Sequence, residues 1–358
     1  MKKRNLIVKR KVKKNKTKLT DPKIQEIYKK FKNLVFKKVG KDRFAIAVSG
    51  GSDSLCLAYL AKLYQSEFKN KTHVLIVNHN LRKESYKEAI KVRKILRSEK
   101  IEGEILNWKG KAPKSNIQKN ARNIRYSLIS NYCFKNKIKY LITAHHLDDQ
   151  IENFFIRLFR GSGLTGLSSM AESVIYNSDL KILRPFLTFK KMELRYVTLS
   201  IFKTYIQDPT NEDEKFLRVR IRKYRKSMEK EGLDTSKITK TVNNLLSANK
   251  AINFYKNKAL QKYVSFLSQN KCLINTQIFS EEAGEIIFKS FSDILSLVSG
   301  TYYPPRSKKI VNLIDRLKRS RFSKSTLGGC VIEKKDDFLL IIKEENVKKT
   351  SYQPSKRI

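Results

Sequence analysis

The segment Ser49-Gly50-Gly51-Ser52-Asp53-Ser54 constrains this chain more than any other six residues. It follows a short, bounded, β-compatible run, Phe44-Ala45-Ile46-Ala47-Val48, and precedes Leu55-Cys56-Leu57-Ala58-Tyr59-Leu60-Ala61, which has helical composition. Two glycines and three serines therefore occupy a strand-to-helix turn. There the unpaired N–H groups of the first helical residues and the positive end of the helix dipole make an anion site. Glycine lets the backbone approach a phosphate closely, and serine hydroxyls add donors. An ordinary capped turn would need only one Asp and one Ser. The turn holds neither GxxxxGK[ST] nor GxGxxG, so it lacks the lysine that reaches terminal phosphates in kinase-like sites. The expected ligand is a nucleotide polyphosphate.

Around this turn, strand-like and helix-like segments alternate. Phe44–Val48, His73–Asn78, Glu104–Trp108, Tyr140–Ala144 and Lys181–Leu183 read as strands, with helical patterns over 54–66, 84–100, 116–136 and 147–160. Asp21-Pro22 opens a further helix running to Lys38. Such alternation predicts an α/β fold, a parallel sheet with helices on both faces joined by right-handed crossovers. Ligands of such sheets bind beyond the carboxyl ends of the strands. The phosphate turn, Asn78-His79-Asn80-Leu81-Arg82 and Ala144-His145-His146 all fall there.

Farther along, a helix is expected over 189–204, a polar turn over 207–211, and basic helices near 213–230 and 235–268. A small α+β region begins at Cys272, with helices near 280–297 and 306–319 and a closing hairpin, Gly328–Glu333 with Phe338–Lys343. The expected organisation is a basic, disordered arm over 1–20, a nucleotide-binding catalytic domain over 21–205 and a helical RNA-binding region over 206–270. A small C-terminal domain over 271–346 and a polar tail over 347–358 complete it.

Charge narrows the partners. Lysine and arginine number 77 against 33 aspartates and glutamates, a formal net charge of +44. That excess attracts polyanions at long range, and nucleic acid is the first candidate partner. The four cysteines, Cys56, Cys133, Cys272 and Cys330, form no CxxC pair, which argues against a zinc ribbon, an iron–sulfur cluster or a disulfide framework. Cys56 and Cys133 lie in apolar helical patterns and read as core residues. No apolar run is long enough for a transmembrane helix, and Met1-Lys2-Lys3-Arg4-Asn5 opens no signal peptide. A cytoplasmic protein without membrane contact is expected.

A second constellation opens the helix after the fourth strand, in Ala144-His145-His146-Leu147-Asp148-Asp149-Gln150-Ile151-Glu152-Asn153. On a helix, His145, Asp149, Glu152 and Ile156 share one side. Acids in a first turn also simply complement the dipole. Beside a phosphate turn, however, they make a candidate catalytic cluster that can hold Mg²⁺ or grip a cationic substrate. No distant His or Cys completes a transition-metal set. Arg122 and Arg125, at i and i+3, suit phosphate or RNA contacts as well as they suit a solvated helix face. Arg218, Arg220 and Arg222 suit an RNA backbone. Gly161, Gly163 and Gly166 indicate a tight or mobile loop.

The pattern SGGxDS resembles the PP-loop of N-type ATP pyrophosphatases, which implies a Rossmann-like adenine nucleotide α-hydrolase fold. Five further motifs follow in order: Val77-Asn78-His79-Asn80-Leu81-Arg82, Ala121-Arg122-Asn123-Ile124-Arg125-Tyr126, the His145–Asn153 run, Arg160-Gly161-Ser162-Gly163-Leu164-Thr165-Gly166-Leu167, and Asp208-Pro209-Thr210-Asn211 with Phe216-Leu217-Arg218-Val219-Arg220. Together they resemble the tRNA(Ile)-lysidine synthase family, from Phe44 to Lys343. Asn153 stands where the family usually has Thr, and Ser169 where Gly is common. The chain is expected to end after the first small C-terminal domain, whereas longer members carry a second.

The resemblance implies a ligase that adenylates carbon 2 oxygen of the wobble cytidine in the CAU-anticodon isoleucine tRNA and then joins free L-lysine there. It implies ATP as substrate, with Ser49, Gly50, Gly51, Ser52, Asp53 and Ser54 on its phosphates and Asp53 on Mg²⁺. Asp53, His145, Asp149 and Glu152 are the implied catalytic set. Arg122, Arg125, Arg218, Arg220 and Arg222 are the implied tRNA contacts, RNA rather than DNA is the implied partner, and a homodimer is expected. The alternatives are another PP-loop tRNA-modifying enzyme of the thiolase kind and a non-catalytic basic RNA-binding protein.

Overall fold

Asp21 and Pro22 begin the first helix as their order predicts. The Asp21 carboxylate accepts the N–H groups of Lys23 at 2.9 Å and Ile24 at 3.4 Å, and Pro22 occupies the first turn, where its missing donor costs nothing. In this computed structural model the described residues are 6–9, 21–81, 84–110, 117–168, 170–176, 180–207, 213–215, 217–301, 304–319 and 322–344. Arg82, Ser169, Asp208-Pro209-Thr210-Asn211, Phe216 and the expected tail from 347 lie outside them.

The chain divides into two units, Met1–Val242 and Asn243–Ile358. The first contains β1 (Leu6–Lys9), α1 (Pro22–Val39), β2 (Phe44–Ala47), α2 (Ser52–Phe68), β3 (Thr72–Asn78), α3 (Ser85–Arg97), β4 (Gly103–Asn107) and α4 (Ile117–Lys135). It continues with β5 (Tyr140–Ile142), α5 (Leu147–Leu158), α6 (Leu164–Leu167), β6 (Ser173–Ile175), β7 (Lys181–Leu183), α7 (Lys191–Ile201), β8 (Thr204–Gln207) and α8 (Leu217–Lys230).

Six strands form one sheet in the order β4-β3-β2-β5-β7-β6. All neighbours are parallel except β6, which runs antiparallel to β7. Successive side chains feed opposite cores, as a two-residue period requires. Phe44, Ile46, Val74, Ile76, Ile142 and Leu183 join the core beneath α1, α2, α3 and α7, whereas Ala45, Leu75, Leu141 and Ile182 pack with Tyr126, Ile129 and Cys133 of α4. A sheet buried on both faces explains its near-continuous apolar strands.

From β2 the chain builds outward to β3 and β4, then returns to lay β5 and β7 on the other side. The direction of winding therefore reverses between β2 and β5, where a crevice opens beyond the strand ends. The phosphate turn leaves β2 and the histidine–acid run leaves β5.

Among the short strands not legible as such are two that pair with each other. Thr204–Gln207, expected as a helix end and turn, is β8, and within the expected N-terminal arm Leu6–Lys9 pairs antiparallel with it, Leu6 opposite Gln207. The remainder of 1–20 lies outside the described residues.

The second unit takes over within α9 (Thr235–Tyr263). Five residues expected to extend that helix form β9 (Val264–Ser268), followed by β10 (Lys271–Asn275), α10 (Ile278–Glu281), α11 (Gly284–Ser299), α12 (Ser307–Leu317), β11 (Lys324–Leu327), β12 (Cys330–Lys335) and β13 (Phe338–Lys343). The strands make an antiparallel sheet ordered β11-β12-β13-β10-β9. Cys272, Ile274, Ile332, Leu339 and Ile341 face Phe291, Ile294 and Leu313 in its core. The hairpin turns at Asp336-Asp337, where Asp336 takes a φ of +50°. All four cysteines are buried free thiols, with Cys56 and Cys133 in the core as expected. Among the described residues no helix is long and apolar enough to cross a membrane.

Candidate active site

The phosphate turn is built from the inside by Ser54. Its hydroxyl accepts the N–H groups of Ser49 at 3.2 Å and Gly50 at 3.1 Å and donates to the Gly51 carbonyl at 3.0 Å. This ties the turn into a ring over the start of α2. The N-cap, Gly51, has no side chain to accept the first-turn N–H groups. Those donors are therefore left for an external anion. Behind the turn, Ile206 of β8 donates its N–H to the Gly50 carbonyl at 2.8 Å, and Thr198 of α7 donates its hydroxyl to the Ser52 carbonyl at 2.5 Å.

Gly50 is irreplaceable for two reasons. Its φ is +88°, and a Cβ there would lie 2.6 Å from Val92 Cγ2 and 3.1 Å from Ile206 Cδ1. A left-handed conformation alone costs a side-chain-bearing residue about 1–2 kcal/mol. Gly50→Ala is expected to lower the thermal midpoint and raise the KM for ATP about tenfold, since each 1.4 kcal/mol of lost binding is a factor of ten. Steady-state kinetics and a melting curve check both.

Asp53 stands in the first turn of α2 and accepts the Ser52 hydroxyl at 3.1 Å. Its Oδ2 lies 3.5 Å from Nε2 of His146, a histidine only 2 % exposed. The same Nε2 is 3.5 Å from Asp149 Oδ2. Burial works to raise the Asp53 carboxyl, but His146, with Lys191 and the Ser52 hydroxyl adding to it, outweighs burial and holds Asp53 below the usual carboxylate range. Burial likewise works to lower His146, and Asp53 and Asp149 outweigh it, so its basicity rises.

His146 is also the N-cap of α5. Its Nδ1 accepts the Asp149 N–H at 3.4 Å, while the Asp149 carboxylate accepts the His146 N–H at 3.2 Å, a reciprocal capping box. Because the helix starts at Leu147, His145 precedes it and does not share its face with Asp149 and Glu152. His145 Nδ1 instead meets the Thr143 hydroxyl at 2.9 Å. Burial, opposed by Asp149 and reinforced by Arg184, Arg122 and Arg218, pushes His145 down to about 4, so it is uncharged at neutral pH.

The acids of α5 meet arginines of α8. Glu152, 3 % exposed, receives Arg222 Nε at 2.5 Å and Nη2 at 3.2 Å, with Arg218 Nε at 3.1 Å. Asp148 accepts Arg225 Nη1 at 2.6 Å and the Lys191 N–H at 3.0 Å. Arg218, Arg222 and Arg225 recur at helical spacing, matching the i, i+4 spacing of Asp148 and Glu152. Arg220 donates to the carbonyls of Glu214 at 2.8 Å and Lys215 at 3.2 Å. On α4, Arg125 Nε lies 3.3 Å from His79 Nε2, and Arg122 stacks 5.1 Å above the Tyr126 ring. The structure thus joins Asp53, Asp149 and His146 in one cluster, and Glu152, Arg218 and Arg222 in another. Sequence reasoning missed His146; the available signal was its place directly before an acid-rich first turn, which marks an N-cap.

Comparison with known proteins shows what the chain is similar to. A model of the PP-loop domain family matches residues 21–226. The tRNA(Ile)-lysidine synthase of Orientia tsutsugamushi (strain Boryong) is 33 % identical over 317 residues, covering 84 % of this chain and 70 % of that protein. That of Wolbachia pipientis wMel is 35 % identical over 311 residues, covering 85 % and 71 %. Among solved structures, the U34-tRNA thiolase NcsA from Methanococcus maripaludis with its [4Fe-4S] cluster has a TM-score of 0.52 at 20 % identity, over 62 % of this chain and 81 % of that one. At that identity the likeness concerns the fold alone.

Proposed function

The chain belongs to the tRNA(Ile)-lysidine synthase family of PP-loop enzymes, and on that premise we propose that it ligates free L-lysine to carbon 2 of the wobble cytidine in the CAU-anticodon isoleucine tRNA. Its nucleotide is ATP. In the first step the carbonyl oxygen on carbon 2 attacks the α-phosphorus and pyrophosphate leaves. In the second the lysine ε-amine attacks carbon 2, and AMP departs with that oxygen. Adenylation is needed because a cytosine carbonyl oxygen is otherwise a poor leaving group.

The observation that carries the reading is the switch point between β2 and β5, where an uncapped helix start and two carboxylates beside one histidine lie together. The first-turn N–H groups of α2 hold the phosphates, with the Ser54 hydroxyl, engaged inside the turn, shaping the loop around them, and the missing lysine fits cleavage between the α and β phosphates. The Asp53 carboxylate, in the first turn beside those donors, offers the hard oxygen that Mg²⁺ prefers. Bound there, the ion would neutralise charge on the phosphates. His145, uncharged at neutral pH, serves as a hydrogen-bond partner to the reacting groups. Arg218, with its side chain 46 % exposed, and Arg122 offer cations to the RNA while Glu152 anchors α8.

The thiolase reading is less well supported. Cys56 and Cys133 lie in separate cores, and Cys272 and Cys330 belong to the other unit, so the sequence brings no cluster of thiolates to this crevice. The test is incubation with ATP, radiolabelled lysine and each of the two CAU tRNAs. Label is expected on the isoleucine tRNA and not on the methionine tRNA. No label, or no tRNA-dependent ATP–pyrophosphate exchange beside an active control, would leave only RNA binding. Oligomeric state is a separate expectation; light scattering is expected to give a homodimer.

A further inference from the structure

The phosphate turn and the acid helix belong to different strand–helix units, and neither motif by itself says what holds their carboxylates together. His146 occupies that position. It is 2 % exposed, and its Nε2 stands 3.5 Å from Asp53 Oδ2 on α2 and 3.5 Å from Asp149 Oδ2 on α5. Its other ring nitrogen accepts the Asp149 N–H in the helix cap. The ring, seated in the helix cap, turns Nε2 toward both carboxylates, and a hydrogen on that nitrogen bridges the two motifs. Asp148 Oδ2 lies farther from the ring, 3.8 Å from Nδ1, and the Asp148 carboxylate is held by Arg225 and the Lys191 N–H. Two carboxylates brought to one point repel each other unless a donor or cation lies between them.

We propose that His146 is a positioning residue for adenylation, holding Asp53 and Asp149 on one centre so that the phosphate turn and the acid helix act as a single site. This rests on the ATP reading of the turn. If that reading fails, the parent enzyme itself shows no exchange; the His146 proposal is judged only against an active parent.

Two substitutions separate the cap from the bridge. Ser is a good N-cap acceptor but is too short to reach Asp53, whereas Asn keeps the cap and adds an N–H donor. With His146→Ser, turnover for AMP formation is expected to fall about 30–100-fold, the scale of a roughly 1 Å misplacement. The KM for ATP should stay within about threefold, because the loop donors are untouched. His146→Asn should regain at least about a third of the parent turnover at the same melting temperature, since its N–H restores part of the bridge.

Melting temperatures of His146→Ser, Asp53→Asn and their double variant supply a readout independent of activity. Shifts that fail to add would show the two side chains acting on each other. A Ser variant turning over within about threefold of the parent, equal loss in the Ser and Asn variants, or strictly additive melting shifts would each overturn the proposal. Should the Ser variant fail to fold, the Asn turnover and its own cycle with Asp53→Asn decide the matter.

Discussion

Asp53→Ala is expected to cut tRNA-dependent AMP formation by roughly 10²–10³-fold, the usual effect of deleting one preorganised electrostatic group from a reaction centre. Three features of the structure support that expectation. It stands in the first turn of α2, beside the only part of the helix whose N–H groups face outward without a side-chain cap. Its carboxylate is kept ionised against burial by His146, so it carries full negative charge at the pH of the reaction. It also lies across the crevice from Asp149, the other carboxylate that His146 touches. Nothing in that environment concerns the body of an RNA. Affinity for tRNA should therefore stay within about twofold, since the long-range attraction comes from the +44 charge as a whole. AMP release and filter binding, measured on one preparation, check the pair. Parallel loss of both would mean that Asp53 supports the fold rather than the chemistry.

The contrast between what the sequence disclosed and what it hid follows from where information is local. The turn at Ser49–Ser54 was legible because glycine, serine and an abrupt change of period sit within a dozen residues. The parallel sheet was legible because buried strands such as Leu75–Val77 and Leu141–Ile142 are apolar without interruption. β8 was hidden, since Thr204–Gln207 has only four residues and its hydrogen-bonding partner is a segment nearly 200 positions earlier. β9 was hidden for a related reason: nothing in Val264–Ser268 forbids another helical turn, and pairing with β10 decides the matter. In the site, the motif disclosed a histidine–acid cluster but not which histidine. A cap position reverses the roles of neighbours, because the capping side chain folds back over the first turn while the residue before it leaves the helix axis. The partners of Glu152 were hidden as well. Their spacing is periodic on α8, but periodicity does not say whether a basic face meets RNA or a neighbouring acid helix.

Arg222 decides between those two destinations. Glu152 is 3 % exposed, and Arg222 supplies two of the three guanidinium contacts to its carboxylate described above, so Arg222→Met leaves a buried charge held by Arg218 alone. Removing one partner of a fully buried pair costs about 3–5 kcal/mol; with Arg218 remaining and Arg222 partly exposed, about 2–4 kcal/mol is expected. For a unit of this size, at about 2–4 °C per kcal/mol, that is a fall of roughly 4–16 °C in the melting temperature. Adding Glu152→Gln should recover most of the loss, because a neutral amide no longer requires a cation, and this recovery separates a counter-ion from mere packing. Arg220 provides the comparison. It bonds to main-chain carbonyls at the start of α8, so Arg220→Ala should leave the melting temperature nearly unchanged. If it meets a phosphate, the slope of log affinity for tRNA against log salt becomes shallower by about one. An Arg222 variant that melts normally but loses that same unit of slope would reverse the assignment. The α8 arginine would then belong to the RNA, and Glu152 would be free to face the substrate.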